Sequence, residues 1–373
     1  MLGFPHKETL MKINAAITPS QGANFIFHEV ILDEPKSGEL KIKIVASGVC
    51  HTDAVARDLA LTPYPAIFGH EGSGIVEAIG PDVKDFEVGD HVVMSFAHCG
   101  NCENCLTGHP TVCNRFNELN FGGKMEDGTS RLHHEGKNLS NFFGQPSFGS
   151  SAIVHKRNAV KVDKTVDLKI LGPLGCGIQT GAGTVLNRLK PEFGSSIAIY
   201  GCGAVGLSAV MAAKIVGCHN IIAVDVHESR LELARSLGAT HVFNGSKTDV
   251  VEEIKKITSG GVMYAVETTG VPKVVKQSLN ALRPLGTVAI VGVTPEMSLD
   301  IHNDLMAEGK SMIGVIEGDS VPRVFIPKLI EYYKVGKFPF DKLIGFYDFK
   351  DIEKAFEDSK TGKTIKPILH MNK

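Results

Sequence analysis

What the chain is short of narrows its functions first. It has no surplus of basic residues: 39 Lys and Arg against 41 Asp and Glu leave a formal net charge of -2, scattered along the sequence. A nucleic-acid surface or an anionic-membrane face needs a basic stripe, so neither partner is expected and small molecules are the expected ligands. No low-complexity tract and no repeat with a period of about 20 to 50 residues occurs, which excludes solenoid arrays. The opening residues, MLGFPHKETLMKINAAITPS, lack the unbroken apolar run of a secretory signal. A reducing, cytoplasmic setting is therefore expected, and disulfides are the weaker reading of its thiols. One run alone, IAIYGCGAVGLSAVMAAKIVG at 197–217, approaches a membrane span, and its glycines divide it into a strand-like and a helix-like piece. Cysteine is scarce as well: eight in 373 residues, four of them between 99 and 113.

At this length one ordinary core is too small, and two domains are expected. From residue 195 onward buried strand-like runs (SIAIYG, NIIAVDV, THVFN, VMYAVETTG, GTVAIVG) alternate with helix-like runs of about ten residues. That alternation predicts βαβ units and a doubly wound parallel sheet. The first 175 residues instead carry short strand-like runs (ELKIKIVASGV, SGIVEAIG, GDHVVMS, SSAIVHK) between Gly, Pro and Asp turns, which predicts a β-rich, barrel-like unit. Periodicity does not tell which of the two the last 50 or so residues complete.

Gly201, Gly203 and Gly206 form G-x-G-x-x-G directly after a strand and at the opening of a helix, where backbone N–H groups and the helix N-terminus can face a pyrophosphate. Asp225 follows at the end of the next strand, in position to accept hydrogen bonds from a ribose. The plainer alternative is that the glycines serve helix–strand packing and Asp225 caps a helix. Under the first reading NAD is preferred over NADP. A carboxylate about 4 Å from a 2'-phosphate costs roughly 4 kcal/mol at an effective dielectric near 20, about a thousandfold in affinity.

The cluster Cys99, Cys102, Cys105 and Cys113 can close a tetrahedron around zinc with no position vacant, the mark of a structural site. An iron–sulfur cluster and disulfides are the alternatives, but the iron–sulfur reading lacks the usual x3 step and following Pro, since Asn114 comes after Cys113. Chemistry needs an open metal position. Cys50 in GVCHTD, His70 with Glu71 in FGHEGSG, and Cys176 in GPLGCGIQTGAG sit in Gly-rich turns and together supply a Cys2His set with a fourth site to spare. Taken singly, each reads at least as well as core packing, and Cys202 and Cys218 read as packing.

GVCHTD, GHEGSGIVEAIG, the four-cysteine lobe, LGPLGCGIQTGAG and FIPKLIEYYKVGKFPFDKLI together resemble the zinc-dependent medium-chain alcohol dehydrogenases over nearly the whole chain, most of all the bacterial aryl (benzyl) alcohol dehydrogenases, with the geraniol-type enzymes close behind. The resemblance implies a GroES-like barrel catalytic domain (1–178 plus 320–373) interrupted by a Rossmann NAD-binding domain (179–319), and two zinc ions per chain. It places catalytic zinc on Cys50, His70 and Cys176 with Glu71 a nearby or transient ligand, Asp53 orienting the histidine, and the Thr52 hydroxyl on the reacting oxygen. For NAD it implies Thr180 near the nicotinamide, Val291 near the carboxamide, Asp225 and Arg230 near the adenosine, and His51 and Lys366 near the pyrophosphate. Val55 stands where some members have the outer histidine of the proton relay, which leaves His51 or water for that role. The expected substrates are a small alcohol and its aldehyde, the pocket being shaped by Phe148, the surroundings of Phe96 and the 114–147 loop. A homo-oligomer, dimer or tetramer, is implied. A zinc-free, non-catalytic dinucleotide-binding relative is the rival.

Overall fold

The computed structural model describes residues 11–371. Of the opening stretch read as lacking a secretory signal, residues 1–10 lie outside the described residues. The described residues form two compact units. One comprises the described residues up to Cys102, then Cys113–Gly175, and those from Ile344 onward; the other comprises Glu103–Val112 and Cys176–Leu343.

The first unit is built on two mainly antiparallel sheets, as its short runs between turn residues require. In the larger, the strand Glu39–Gly48 pairs with Gly72–Ile79 on one side and with the C-terminal strand Lys366–His370 on the other. Its alternating residues Leu40, Ile42 and Ile44 are buried with Val76, Val92 and Met94. A second core gathers Phe68, Phe142, Phe148 and Phe356. The chain returns to this unit at Ile344, later than the expected residue 320. The reason is the helix Pro322–Lys334, whose buried face of Phe325, Ile326, Leu329 and Ile330 packs in the second unit against the helix Gly177–Gly183.

In the second unit the strands His241–Asn244, Asn220–Asp225, Ser196–Tyr200, Val262–Glu267, Leu282–Ile290 and Ser311–Gly314 lie in that spatial order, all parallel. This is the doubly wound order with its switch point beside Ser196–Tyr200. The run 197–217 divides into that strand and the helix Ala204–Val216, so it does not span a membrane as one element. No helix among the described residues is long and apolar enough to cross one.

Candidate active site

The strand Glu39–Gly48 delivers the chain to Cys50, which precedes the helix His51–Leu59. His70 and Glu71 join the strand Ala66–Ile67 to Gly72–Ile79, and Cys176 follows the turn Gly172–Gly175. One ligand atom from each of Cys50, His70, Glu71 and Cys176 lies within 4.8 Å of all the others. Cys50 is half-buried and the other three are buried.

Asp53 organises this group. It is fully buried, its Oδ1 accepts from His70 Nδ1 at 2.8 Å and from Gly69 N at 3.1 Å, and its Oδ2 accepts from Cys50 N at 3.1 Å. The second ring nitrogen of His70, Nε2, is buried and makes no hydrogen bond. Burial works against a charged His70, but the facing Asp53 carboxylate and the neighbouring Cys50 outweigh it and raise its pKa well above the ordinary value. Two thiols and an orphaned imidazole nitrogen are a donor set that fits zinc.

Glu71 is engaged elsewhere: both its oxygens lie 2.9 Å from Lys366 Nζ, which also donates to Val49 O. Burial raises the Glu71 pKa, and the lysine offsets this only in part. Lys366 itself is only 3 % exposed. Lys366, expected near the pyrophosphate, is thus paired here with Glu71, since a buried ammonium needs a buried counter-charge.

The second thiol group is Cys99, Cys102, Cys105 and Cys113, with ligand atoms again within 4.8 Å of one another. Cys102 N donates to Cys99 Sγ, while Cys99 N and Arg115 N donate to Cys113 Sγ, at 3.3 to 3.4 Å. Backbone N–H groups aimed at sulfur stabilise thiolates, as a four-thiolate metal site requires. Cys102 Sγ and Cys113 Sγ are 3.9 Å apart, far beyond a disulfide bond, and none of the eight cysteines, all among the described residues, forms a disulfide.

Around the glycine fingerprint the backbone turns from Tyr200 into the helix Ala204–Val216. Gly201 has φ +90°, and a Cβ on Gly206 would collide with the Gly201 carbonyl, so these two glycines are demanded by the turn itself. Gly203 is different: a Cβ there would meet no protein atom within 4 Å, which fits a position kept bare for a ligand's approach. Asp225, 8 % exposed, accepts from Cys202 N at 2.7 Å through Oδ2 and from Val226 N and His227 N through Oδ1. Arg230 Nη1 lies 3.8 Å from the same Oδ2. Val291 N donates to Glu267 O, and Thr180 is 8 % exposed on the helix Gly177–Gly183.

Comparison with known proteins agrees with this geometry. Residues 36–164 match the alcohol dehydrogenase GroES-like domain and residues 204–332 the zinc-binding dehydrogenase domain. A geraniol dehydrogenase from Castellaniella defragrans is 41 % identical over 367 residues, covering 97 % of this chain and 98 % of that protein. The chain belongs to the zinc-binding medium-chain alcohol dehydrogenase family. Among solved members, benzyl alcohol dehydrogenase from Acinetobacter calcoaceticus superimposes with a TM-score of 0.94 at 48 % identity, covering 97 % of this chain and all of that one. A zinc-binding-domain alcohol dehydrogenase from Burkholderia ambifaria gives 0.95 at 47 % identity over the same shares. Enzymes of this family use NAD and zinc, and the two thiol-rich groups of this alcohol dehydrogenase are consistent with one catalytic and one structural ion.

Two features of the dehydrogenase go beyond motif reading, which placed the first only within the 114–147 loop and missed the second. The rings of Phe142 and Phe143 stand 5.5 and 4.6 Å from the His70 ring and share a core with Phe148, which packs against Phe25 and Phe356. Aromatic side chains are so often plain core that their spacing carried no signal. The second is Glu317, 8 % exposed, with Oε1 3.5 Å from Cys176 Sγ and Oε2 3.2 Å from Gln179 Nε2. Glu317 and Asp319 flank Gly318, with φ values of 48°, 65° and 47°. Two non-glycine residues in this region store about 1–3 kcal/mol each, and no sequence pattern announces them.

Proposed function

We propose that the protein oxidises primary aryl alcohols of the benzyl type to aldehydes, reversibly, with NAD as the hydride acceptor. The observation carrying this reading is the group Cys50, His70 and Cys176 with Glu71 committed to Lys366, which offers zinc three protein ligands and leaves a fourth position for substrate. When bound, zinc stabilises the developing oxyanion of the alcohol as a Lewis acid and NAD takes the hydride. The chain's own groups do the rest. Asp53 holds the His70 Nδ1 proton and so leaves Nε2 with its lone pair available to hold a zinc ion. The Thr52 hydroxyl, 3.7 Å from Cys50 Sγ, receives the substrate proton. His51, exposed at the start of its helix, or water passes it outward in place of a residue at Val55. Asp225 and Arg230 hold the adenosine, the 201–206 turn the pyrophosphate, and Thr180 and Val291 the nicotinamide end.

The aryl preference is supported by Phe142 and Phe143 beside His70 and by the 48 % identity to a benzyl alcohol dehydrogenase. Allylic alcohols are the second reading, favoured by the geraniol dehydrogenase relative. A panel of benzyl, allylic and straight-chain alcohols read by NADH absorbance separates them. Benzyl-type alcohols are expected to give the highest kcat/KM; geraniol or a straight-chain alcohol in first place refutes the aryl assignment. The enzyme is further proposed to act in the cytoplasm as a homo-oligomer, a dimer or tetramer. The strand Ser311–Gly314 at the end of the parallel sheet supports this, since sheet edges favour pairing with another chain, and light scattering gives the mass.

A further inference from the structure

The turn Glu317–Asp319 is an unusual piece of backbone to keep. Three successive residues adopt left-handed φ values, and only the middle one is glycine. Gly318 has no room for a side chain, because a Cβ would run into the carbonyls of Gln179 and Thr180. Its own carbonyl accepts from Asn187 Nδ2 at 3.1 Å. On the far side Asp319 Oδ1 meets His109 Nδ1 at 2.8 Å. The turn is therefore pressed onto the helix Gly177–Gly183 and tied from outside, and what this arrangement delivers is one carboxylate.

That carboxylate is Glu317. Its Oε2 accepts from Gln179 Nε2 at 3.2 Å and lies 3.4 Å from Thr180 Oγ1, whose hydroxyl also reaches Cys176 O at 2.9 Å. Gln179 is fully buried and Thr180 nearly so. Side chains in the first turn of this short helix would otherwise choose among several rotamers, and a charged acceptor shared by both selects one. We propose that Glu317 is a positioning residue for the nicotinamide end of the dinucleotide, acting through Thr180 and Gln179 and held in place by the His109–Asp319 tether. The proposal rests on the reading of this chain as an NAD-dependent dehydrogenase with Thr180 beside the nicotinamide.

The test compares NADH with ADP-ribose, which lacks the nicotinamide, on the zinc-loaded protein. The absence of tryptophan lets the fluorescence of the reduced nicotinamide be followed without indole background, and calorimetry serves for ADP-ribose. Glu317→Ala is expected to weaken NADH about tenfold, the cost of one hydrogen bond to a charged group, and to leave ADP-ribose within about twofold. Glu317→Gln, which keeps a neutral carbonyl oxygen, restores part of the loss. Asp319→Asn, which loosens the tether without touching Glu317, produces a smaller loss of the same selective kind, and it carries the test if the alanine variant fails to fold. Unchanged NADH affinity, equal losses for NADH and ADP-ribose, or a glutamine variant as impaired as alanine overturns the proposal. A parent protein that binds NADH no tighter than ADP-ribose instead overturns the placement of Thr180, and the proposal with it.

Discussion

Asp53→Asn isolates the contribution of the carboxylate behind His70. The native side chain is fully buried and satisfies three donors: Oδ1 takes His70 Nδ1 and Gly69 N, and Oδ2 takes Cys50 N. Asparagine has one acceptor oxygen. In its better orientation that oxygen keeps the two Oδ1 partners, and the amide NH2 then faces Cys50 N–H, leaving a buried donor without a partner at about 1–3 kcal/mol. The bond to His70 also falls from charge-assisted to neutral, a further loss of about 1 kcal/mol. Substitutions behind metal ligands typically cost about 10- to 100-fold, or roughly 1.4 to 2.7 kcal/mol, and the two ranges overlap between about 2 and 2.7 kcal/mol. Zinc affinity at the Cys50–His70–Cys176 group should accordingly fall about 30- to 100-fold. Chelator competition followed by metal analysis measures it, with the four-cysteine lobe as the internal reference. An Asn variant that retains both ions with affinities within about threefold of the parent refutes the reasoning.

Asp225→Gly removes the carboxylate that repels a 2'-phosphate, and it also frees the N–H groups of Cys202, Val226 and His227, so both cofactors should bind more weakly while the NAD-over-NADP ratio collapses. A ratio unchanged in paired titrations removes Asp225 from the adenosine site. Cys105→Ser is expected to lower the zinc content from two ions per chain to one and to depress the thermal midpoint, because a four-thiolate site lends its binding energy to folding; two ions in the variant argue against the lobe as a zinc site. His155 provides a pH-dependent prediction. Its burial, then the nearby Arg157 guanidinium, hold its pKa down at about 4 against the usual 6.5. Between those values the unfolded chain binds a proton that the folded one does not, so stability falls as the pH drops from about 6.5 to 4. His155→Gln should make that limb of a pH series of thermal midpoints shallower; an identical slope shows that other groups set it.

Local spacing carried a good deal of this molecule. The alternation of buried strands with helices of about ten residues is a property of each segment's own hydrogen bonding and burial, and the parallel sheet follows it from Ser196 to Ile290. The thiols of the 99–113 lobe are close enough in sequence that one loop gathers them. Where the reading drifted, a longer-range contact decided. The strand Leu282–Ile290 starts four residues ahead of the run GTVAIVG that predicts it, because its neighbour Val262–Glu267 pairs with it through an irregular register. The segment after residue 320 stays in the second unit because a helix face buries there.

By itself, then, the sequence determined the classes of element, the nucleotide fingerprint, the four-thiol lobe and, by resemblance, which residues belong to an alcohol dehydrogenase. Only the tertiary structure decided that Cys50, His70 and Cys176, 20 and 106 positions apart, converge, that Lys366 takes Glu71, and that a strained turn brings Glu317 to Cys176. The physical reason is one of range. Periodicity and short spacing report what a segment does with its own backbone, whereas the partner of a buried charge is chosen by whichever distant element packs against it.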